Sequence, residues 1–201
     1  FSLKSFSDFS LMLELFVKRY EDIRMNSPVI VSTSRSPIGR AFKGSFTNVR
    51  ADDLMAFILR DVIDKIGLDQ ELIDDVIVGC GLPGGEQGYN IARVSTLLAG
   101  MSNTSATTVN RYCASGLETI GMATAKIQSG MADCIIAGGA ESMSFIPMGG
   151  YKPTPDYAVA KEGHEDYYWG MGLTAEAVAK QFNVSREDQD QFAFNSHQKA
   201  L

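Results

Sequence analysis

The sequence predicts an α/β protein: a mostly parallel sheet with right-handed crossovers and helices on both faces. Three observations lead there. Short apolar, β-branched runs recur at residues 29–33, 75–79, 105–109 and 134–137. Segments with apolar residues at steps of three and four lie between them, and glycine-rich turns separate the two kinds. Strands alternating with amphipathic helices build parallel sheets, because a crossover is needed to return the chain to the same sheet end.

Taken in order, Val29, Ile30 and Val31 after Pro28 read as a buried strand, and Arg35 to Gly39 as turn chemistry. Asp52 and Asp53 introduce a helix carrying Leu54, Ile58 and Val62 at steps of four, closed by Gly67. The strand 75–79 runs into a glycine-rich loop, 79–88, and then a helix from about Asn90 to Leu98. That loop lacks the Gly-Lys-Ser/Thr ending of a phosphate loop and fails the dinucleotide spacing, so it reads as a backbone turn. A strand at 105–109 leads to Cys113. From Ala114 onward Leu117, Ile120, Thr124 and Ile127 mark one helix face, and Gly130 ends it. Residues 145–172 form a long irregular segment with Pro147, Pro153, Pro155 and the aromatic group Tyr151, Tyr157, Tyr167, Tyr168 and Trp169, which argues for packing onto something. Ser185, followed by Glu187 and Asp188, caps a last helix that reaches Leu201 without a terminator. Leu201 is therefore expected to be a truncation rather than a natural C-terminus.

Composition bounds the function. The chain of 201 residues is 45% hydrophobic and 21% charged, ordinary for a globular protein with one large domain or one domain and an insertion. Its net charge of -6 comes without a basic stripe, which argues against nucleic acid. No run reaches the roughly 20 apolar residues of a membrane span. Cys80, Cys113 and Cys134 are an odd number without paired spacing. That argues against a disulfide framework and against a metal site, and suits a reducing compartment such as the cytoplasm. Residues 1–24 resemble neither a secretory signal nor a presequence and read as an extension of unknown role.

Cys113 is the candidate nucleophile. It stands where a strand becomes a helix, and unpaired N–H groups at a helix start favour thiolate over thiol. A thiolate is suited to acyl transfer. Placement alone leaves a small buried core cysteine equally open. Cys80 and Cys134, in apolar strand-like runs, read as core fillers. His164 lies among acidic neighbours and His197 beside Gln198 and Lys199, so neither is expected to act as the base.

Asn110, Arg111, Tyr112, Cys113, Ala114, Ser115 and Gly116 resemble the acyl-enzyme signature of the thiolases, in which an Asn precedes the nucleophile by three and Ser-Gly follows. Four further stretches resemble the same family in the same order: 34–40, 86–93, 138–144 and 171–176. The resemblance implies a layered thiolase-like fold, here one half of a duplicated core plus the start of a loop domain. It places the α/β core at 25–144 and the truncated loop domain, which would cover coenzyme A and the acyl pocket, at 145–201. It also implies that the last strand of this half follows the loop domain, leaving a sheet edge exposed.

The activity implied is cleavage of 3-ketoacyl-CoA by coenzyme A, or condensation of two acetyl-CoA, through an acyl-cysteine at Cys113. The Cys113 N–H would serve as an oxyanion donor. Met171 corresponds to a methionine lining the acyl pocket. Gly170 stands where short-chain biosynthetic thiolases carry a histidine, which leans toward the degradative type. Glu141, Ser142 and Met143 would shape the active-site floor without a chemical step. Coenzyme A would be a co-substrate with no tightly bound cofactor. The partners implied are acyl-CoA, coenzyme A and a second copy in a homodimer or homotetramer; a eukaryotic source would imply mitochondria or peroxisomes. The family's histidine and second cysteine belong to its C-terminal half, so residues 1–201 alone are expected to be inactive. Other readings are a related enzyme using the same cysteine for Claisen condensation, and a non-catalytic acyl-CoA or lipid-binding protein on this scaffold.

Overall fold

The computed structural model describes residues 27–161 and 163–201. The extension expected at 1–24 lies outside them. The chain divides into two compact units, one ending at Tyr151 and the other spanning Lys152–Leu201.

In the first unit the order is α1 (Ala51–Asp64), β1 (Asp75–Gly79), α2 (Ile91–Leu98), β2 (Ser105–Val109), α3 (Ser115–Gln128) and β3 (Ile135–Gly139). The strands form a parallel sheet in the order β2-β1-β3, with Gly79 of β1 in register with Val109 of β2 and Gly139 of β3. β1 is buried along its whole length, as its apolar run Val76–Val78 requires of a central parallel strand. Val76 and Val78 join Met55, Leu59 and Ile63 of α1 and Ile91 of α2 in one core cluster. Successive strand residues point to opposite faces, so Ile77 and Gly79 face the other side, where α3 packs. The helices therefore cover both faces of the sheet.

Two polar contacts fix the strand starts. Asp74 Oδ2 accepts from the backbone N–H groups of Asp133 (2.7 Å) and Cys134 (3.0 Å). Asp75, buried at the head of β1, pairs with Lys126 of α3 at 2.5 Å. At the head of α2, Asn90 adopts φ +60° and its side chain caps Arg93. It also donates to the Ala106 carbonyl and accepts from the Thr108 hydroxyl, tying this helix to β2.

The strand expected at 29–33 does not form. Val29, Ile30 and Val31 are exposed and unpaired, because no neighbouring strand offers them a hydrogen-bond ladder among the described residues. A cleft of about 1030 Å³ separates this stretch from β3, with Ile58 and Val62 of α1 and Ile120 and Ile127 of α3 among its walls. Among the described residues β3 has no partner on its outer side, in line with the exposed edge expected.

Both long helices are rotated from their expected faces. The buried stripe of α1 is Met55, Leu59 and Ile63, while Leu54, Ile58 and Val62 are half-buried. In α3 the buried residues are Ser115, Thr119 and Ala123, and Leu117 is 73% exposed. Small side chains face the sheet there because α3 starts directly on strand backbone, as its glycine contacts show. The last strand spans 135–139 rather than 134–137, which leaves Cys134 half-buried just ahead of it.

The second unit holds a short 3₁₀ turn, Glu165–Tyr168, and two helices, α4 (Met171–Phe182) and α5 (Arg186–Ala200). The Ser185 hydroxyl accepts from Asp188 N–H at 3.1 Å, the cap its sequence predicts. Tyr167 and Tyr168 pack edge to face, and the Lys161 ammonium lies 4.8 Å from the Tyr157 ring. No aromatic side chain of this unit is buried among the described residues.

Candidate active site

Five residues join β2 to α3, and they form a tight turn. Asn110 Oδ1 accepts from Tyr112 N–H at 2.8 Å, the side-chain turn for which Asn is suited. Ser115 Oγ accepts from Arg111 N–H (2.8 Å) and donates to the Tyr112 carbonyl (2.6 Å), which Ser115 N–H also reaches at 3.0 Å. Tyr112 is held at φ +46°. A bulky residue in that region costs about 1–3 kcal/mol, strain that persists only where the surroundings enforce it. Arg111 and Glu118 close the turn from outside with an ion pair of 2.7 Å.

This turn carries Cys113 at the surface. The thiol is exposed, whereas Cys80 is buried and Cys134 half-buried. Within this chain Cys113 is therefore no part of the core, and the buried Cys80 fits a core filler. Cys113 precedes Ala114, which takes the N-cap position of α3 without a side-chain cap bond, and so lies just ahead of the first helical turn. Among the described residues its N–H donates no hydrogen bond.

The turn rests on glycine. A Cβ built on Gly79 would lie 2.5 Å from the Ser115 carbonyl carbon, and one on Gly139 would lie 3.5 Å from Gly116 Cα. These register partners form a flat saddle at the carboxyl ends of β1 and β3. Only strands without side chains there let the start of α3 descend onto them. Ligands of open parallel sheets bind beyond these strand ends, and Cys113 is placed there.

Residues 28–201 match the family described as thiolase, N-terminal domain. The chain belongs to the thiolase family. It is 51% identical over 177 residues to a 3-ketoacyl-CoA thiolase of Bacillus subtilis, covering 88% of this chain and 45% of that protein. It is 42% identical over 181 residues to a 3-ketoacyl-CoA thiolase of Photobacterium profundum, covering 88% and 46%. A beta-ketoadipyl-CoA thiolase of Escherichia coli is 42% identical over 192 residues, covering 87% and 48%. This thiolase-family chain thus spans about half the length of the curated relatives it matches.

Beneath the thiolase turn lies a polar cluster. Burial, and secondarily the Glu141 carboxylate, push the Cys80 thiol up to about 12. Glu141 accepts from Gly81 N–H at 2.6 Å and from the amide of fully buried Gln87. The glycine-rich loop is a backbone turn as expected, with Gly85 at φ +50° opening a short 3₁₀ segment, Gly85–Gln87. No sequence argument assigned Gln87 or the glycine pair a role. The signal was a glycine closing each of two strand runs, which becomes legible only once their register is known.

The remaining candidates belong to the second unit. Met171 opens α4 and is exposed; His164 precedes the 3₁₀ turn and His197 lies in the last turn of α5, both exposed. Among the described residues no helix is long and apolar enough to cross a membrane.

Proposed function

We propose that the protein in its full length is a thiolase-type acyltransferase that works through an acyl-cysteine at Cys113. The observation that carries this is the exposed thiol on a strained, hydrogen-bonded turn at the carboxyl ends of β1 and β3. The matching relatives named 3-ketoacyl-CoA thiolase support the substrate class.

In the degradative direction the Cys113 sulfur attacks the 3-keto carbon of a 3-ketoacyl-CoA. The C2–C3 bond breaks, and the electron pair left on C2 takes a proton, releasing acetyl-CoA. The sulfur of free coenzyme A then attacks the acyl-cysteine, forming the shortened acyl-CoA and returning the Cys113 sulfur. The reverse sequence condenses two acetyl-CoA. Both steps build negative charge on a carbonyl oxygen, and the free Cys113 N–H is a donor for it. Groups that shuttle the protons are assigned, by family resemblance, to the part of the relatives that this chain does not span. Met171 is assigned to the acyl pocket, coenzyme A is a co-substrate, and the assembly is a homodimer or homotetramer.

The test is thiolysis of a 3-ketoacyl-CoA by the full-length protein and its Cys113→Ser variant. Loss of the nucleophile should lower kcat by more than about 10³-fold with the fold retained. Undiminished thiolysis by the variant would overturn the assignment.

A further inference from the structure

Arg111 to Ala114 form a four-residue turn, closed by the Ala114 N–H on the Arg111 carbonyl at 3.0 Å. Its central peptide unit joins Tyr112 to Cys113 and carries the Cys113 N–H. Of the two central residues only Tyr112 has a positive φ, +46°, a place that such turns fill with glycine, asparagine or aspartate. A return of Tyr112 to negative φ would relieve its strain. It would also rotate the central peptide and send the Cys113 N–H in another direction.

Two side chains oppose that return. Ahead of Tyr112, Asn110 Oδ1 accepts from Tyr112 N–H at 2.8 Å. Beyond it, the Ser115 hydroxyl spans the turn: it accepts from Arg111 N–H at 2.8 Å and donates to the Tyr112 carbonyl at 2.6 Å. That carbonyl and the Cys113 N–H lie in one planar unit, so a bond to the oxygen fixes the direction of the N–H. The Ser115 N–H reaches the same carbonyl at 3.0 Å, but only the hydroxyl ties it to Arg111.

Ser115 makes a firm anchor because it belongs to the helix and not to the turn. It is 4% exposed and is the first residue of α3. One turn further, the hydroxyl of fully buried Thr119 lies 2.7 Å from the Gly116 carbonyl oxygen and 3.2 Å from that of Gly138 in β3, which ties the helix start to the sheet. Alanine would suit the helix itself at least as well. What the hydroxyl adds is its grip on the turn.

We infer that Ser115 is a positioning residue for acylation: its hydroxyl holds Tyr112 in the strained conformation and so points the Cys113 N–H at the acyl oxygen. This deepens the acyl-cysteine reading above and rests on it.

The experiment compares the full-length wild type, Ser115→Ala, Tyr112→Gly and the double variant. Iodoacetamide with peptide mapping counts reactive Cys113 thiols per chain, and a single-turnover reaction with a 3-ketoacyl-CoA gives the acylation rate per counted thiol. Alkylation needs no oxyanion donor, so the count should stay near one in all four. Ser115→Ala should acylate about 10-fold more slowly, the scale of one hydrogen bond lost from the transition state. KM for the acyl-CoA should not change. Glycine takes positive φ freely, so with Tyr112→Gly the pull against the hydroxyl is gone, and Ser115→Ala should then cost no more than about 3-fold. A merely structural role would lower the thiol count or the melting temperature and leave the rate per thiol untouched. That result, or an equal loss of rate on both backgrounds, would overturn the proposal. Ser115→Thr keeps the hydroxyl and should acylate within about 3-fold of wild type. A folded Ser115→Thr slower by about 10-fold or more would also overturn it, and this comparison decides if Ser115→Ala does not fold. A wild type that folds but forms no acyl-cysteine overturns the acyl-cysteine reading itself, and the proposal with it.

Discussion

Replacing Gly79 with alanine adds one carbon at the point where α3 meets the sheet. That carbon would sit 2.5 Å from the Ser115 carbonyl carbon and 2.6 Å from its oxygen, against 3.4 Å for ordinary contact. The difference, 3.4 minus 2.5, requires a separation of about 0.9 Å. Both partners are backbone, so no side chain can swing aside; the start of α3 must move, carrying the Cys113 turn. Overpacking of this kind costs about 1–3 kcal/mol, and a shift near 1 Å at a reacting group costs about 10²-fold in rate. The control is Gly139→Ala, whose new carbon would meet Gly79 O at 3.3 Å and Gly116 Cα at 3.5 Å. That neighbourhood need give only slightly. The assay is single-turnover acylation of the full-length protein, with thermal melting alongside. Gly79→Ala should lose rate by about two orders of magnitude and melt lower, with Gly139→Ala close to wild type. Equal rates in Gly79→Ala and wild type would refute the saddle as the seat of the nucleophile.

Thiol chemistry should separate Cys113 from Cys80. At a pH near the ordinary thiol value of about 8.5, iodoacetamide should label exposed Cys113 and spare Cys80, whose sulfur stays protonated until about 12. Denaturation should erase the difference; labelling of Cys80 in the folded chain would contradict its burial. Because the folded state holds the Cys80 proton longer, its contribution to stability is full below the ordinary thiol range and is lost as pH rises from there toward about 12. On the acid side, bonds from Cys134 N–H and then Asp133 N–H hold the Asp74 carboxyl below its usual range. Its contribution is present above the ordinary Asp value and is lost as pH falls through the lowered one. The melting-temperature gap between wild type and Asp74→Asn should therefore shrink on acidification; a constant gap would contradict the bond.

The central strand was legible because its signal is local: three apolar residues, Val76 to Val78, between Asp75 and a closing glycine give β1 at Asp75–Gly79, the expected bounds. The same holds for β2, and for the Ser185 cap, where one side chain satisfies one helix end. Residues 29–33 carried an equally good strand sequence, but a strand also needs a neighbour, and none is present among the described residues. Helix faces were misjudged for a related reason. Apolar spacing marks Leu117 and Ile120, yet the side turned to the sheet is Ser115, Thr119 and Ala123, chosen by the room that Gly79 and Gly139 leave. Cys113 could be singled out from its flanking residues. The polar cluster beneath it could not, because Gln87 and Glu141 are brought together by the pairing of β1 with β3, which no local pattern encodes.

The most direct test is to incubate the full-length protein with an acyl-CoA, quench it in acid, and map the adduct by peptide mass spectrometry. One acyl group per chain on Cys113, discharged by added coenzyme A, is the result expected. A folded protein that leaves Cys113 unmodified, or carries the acyl group on another residue, would contradict the account.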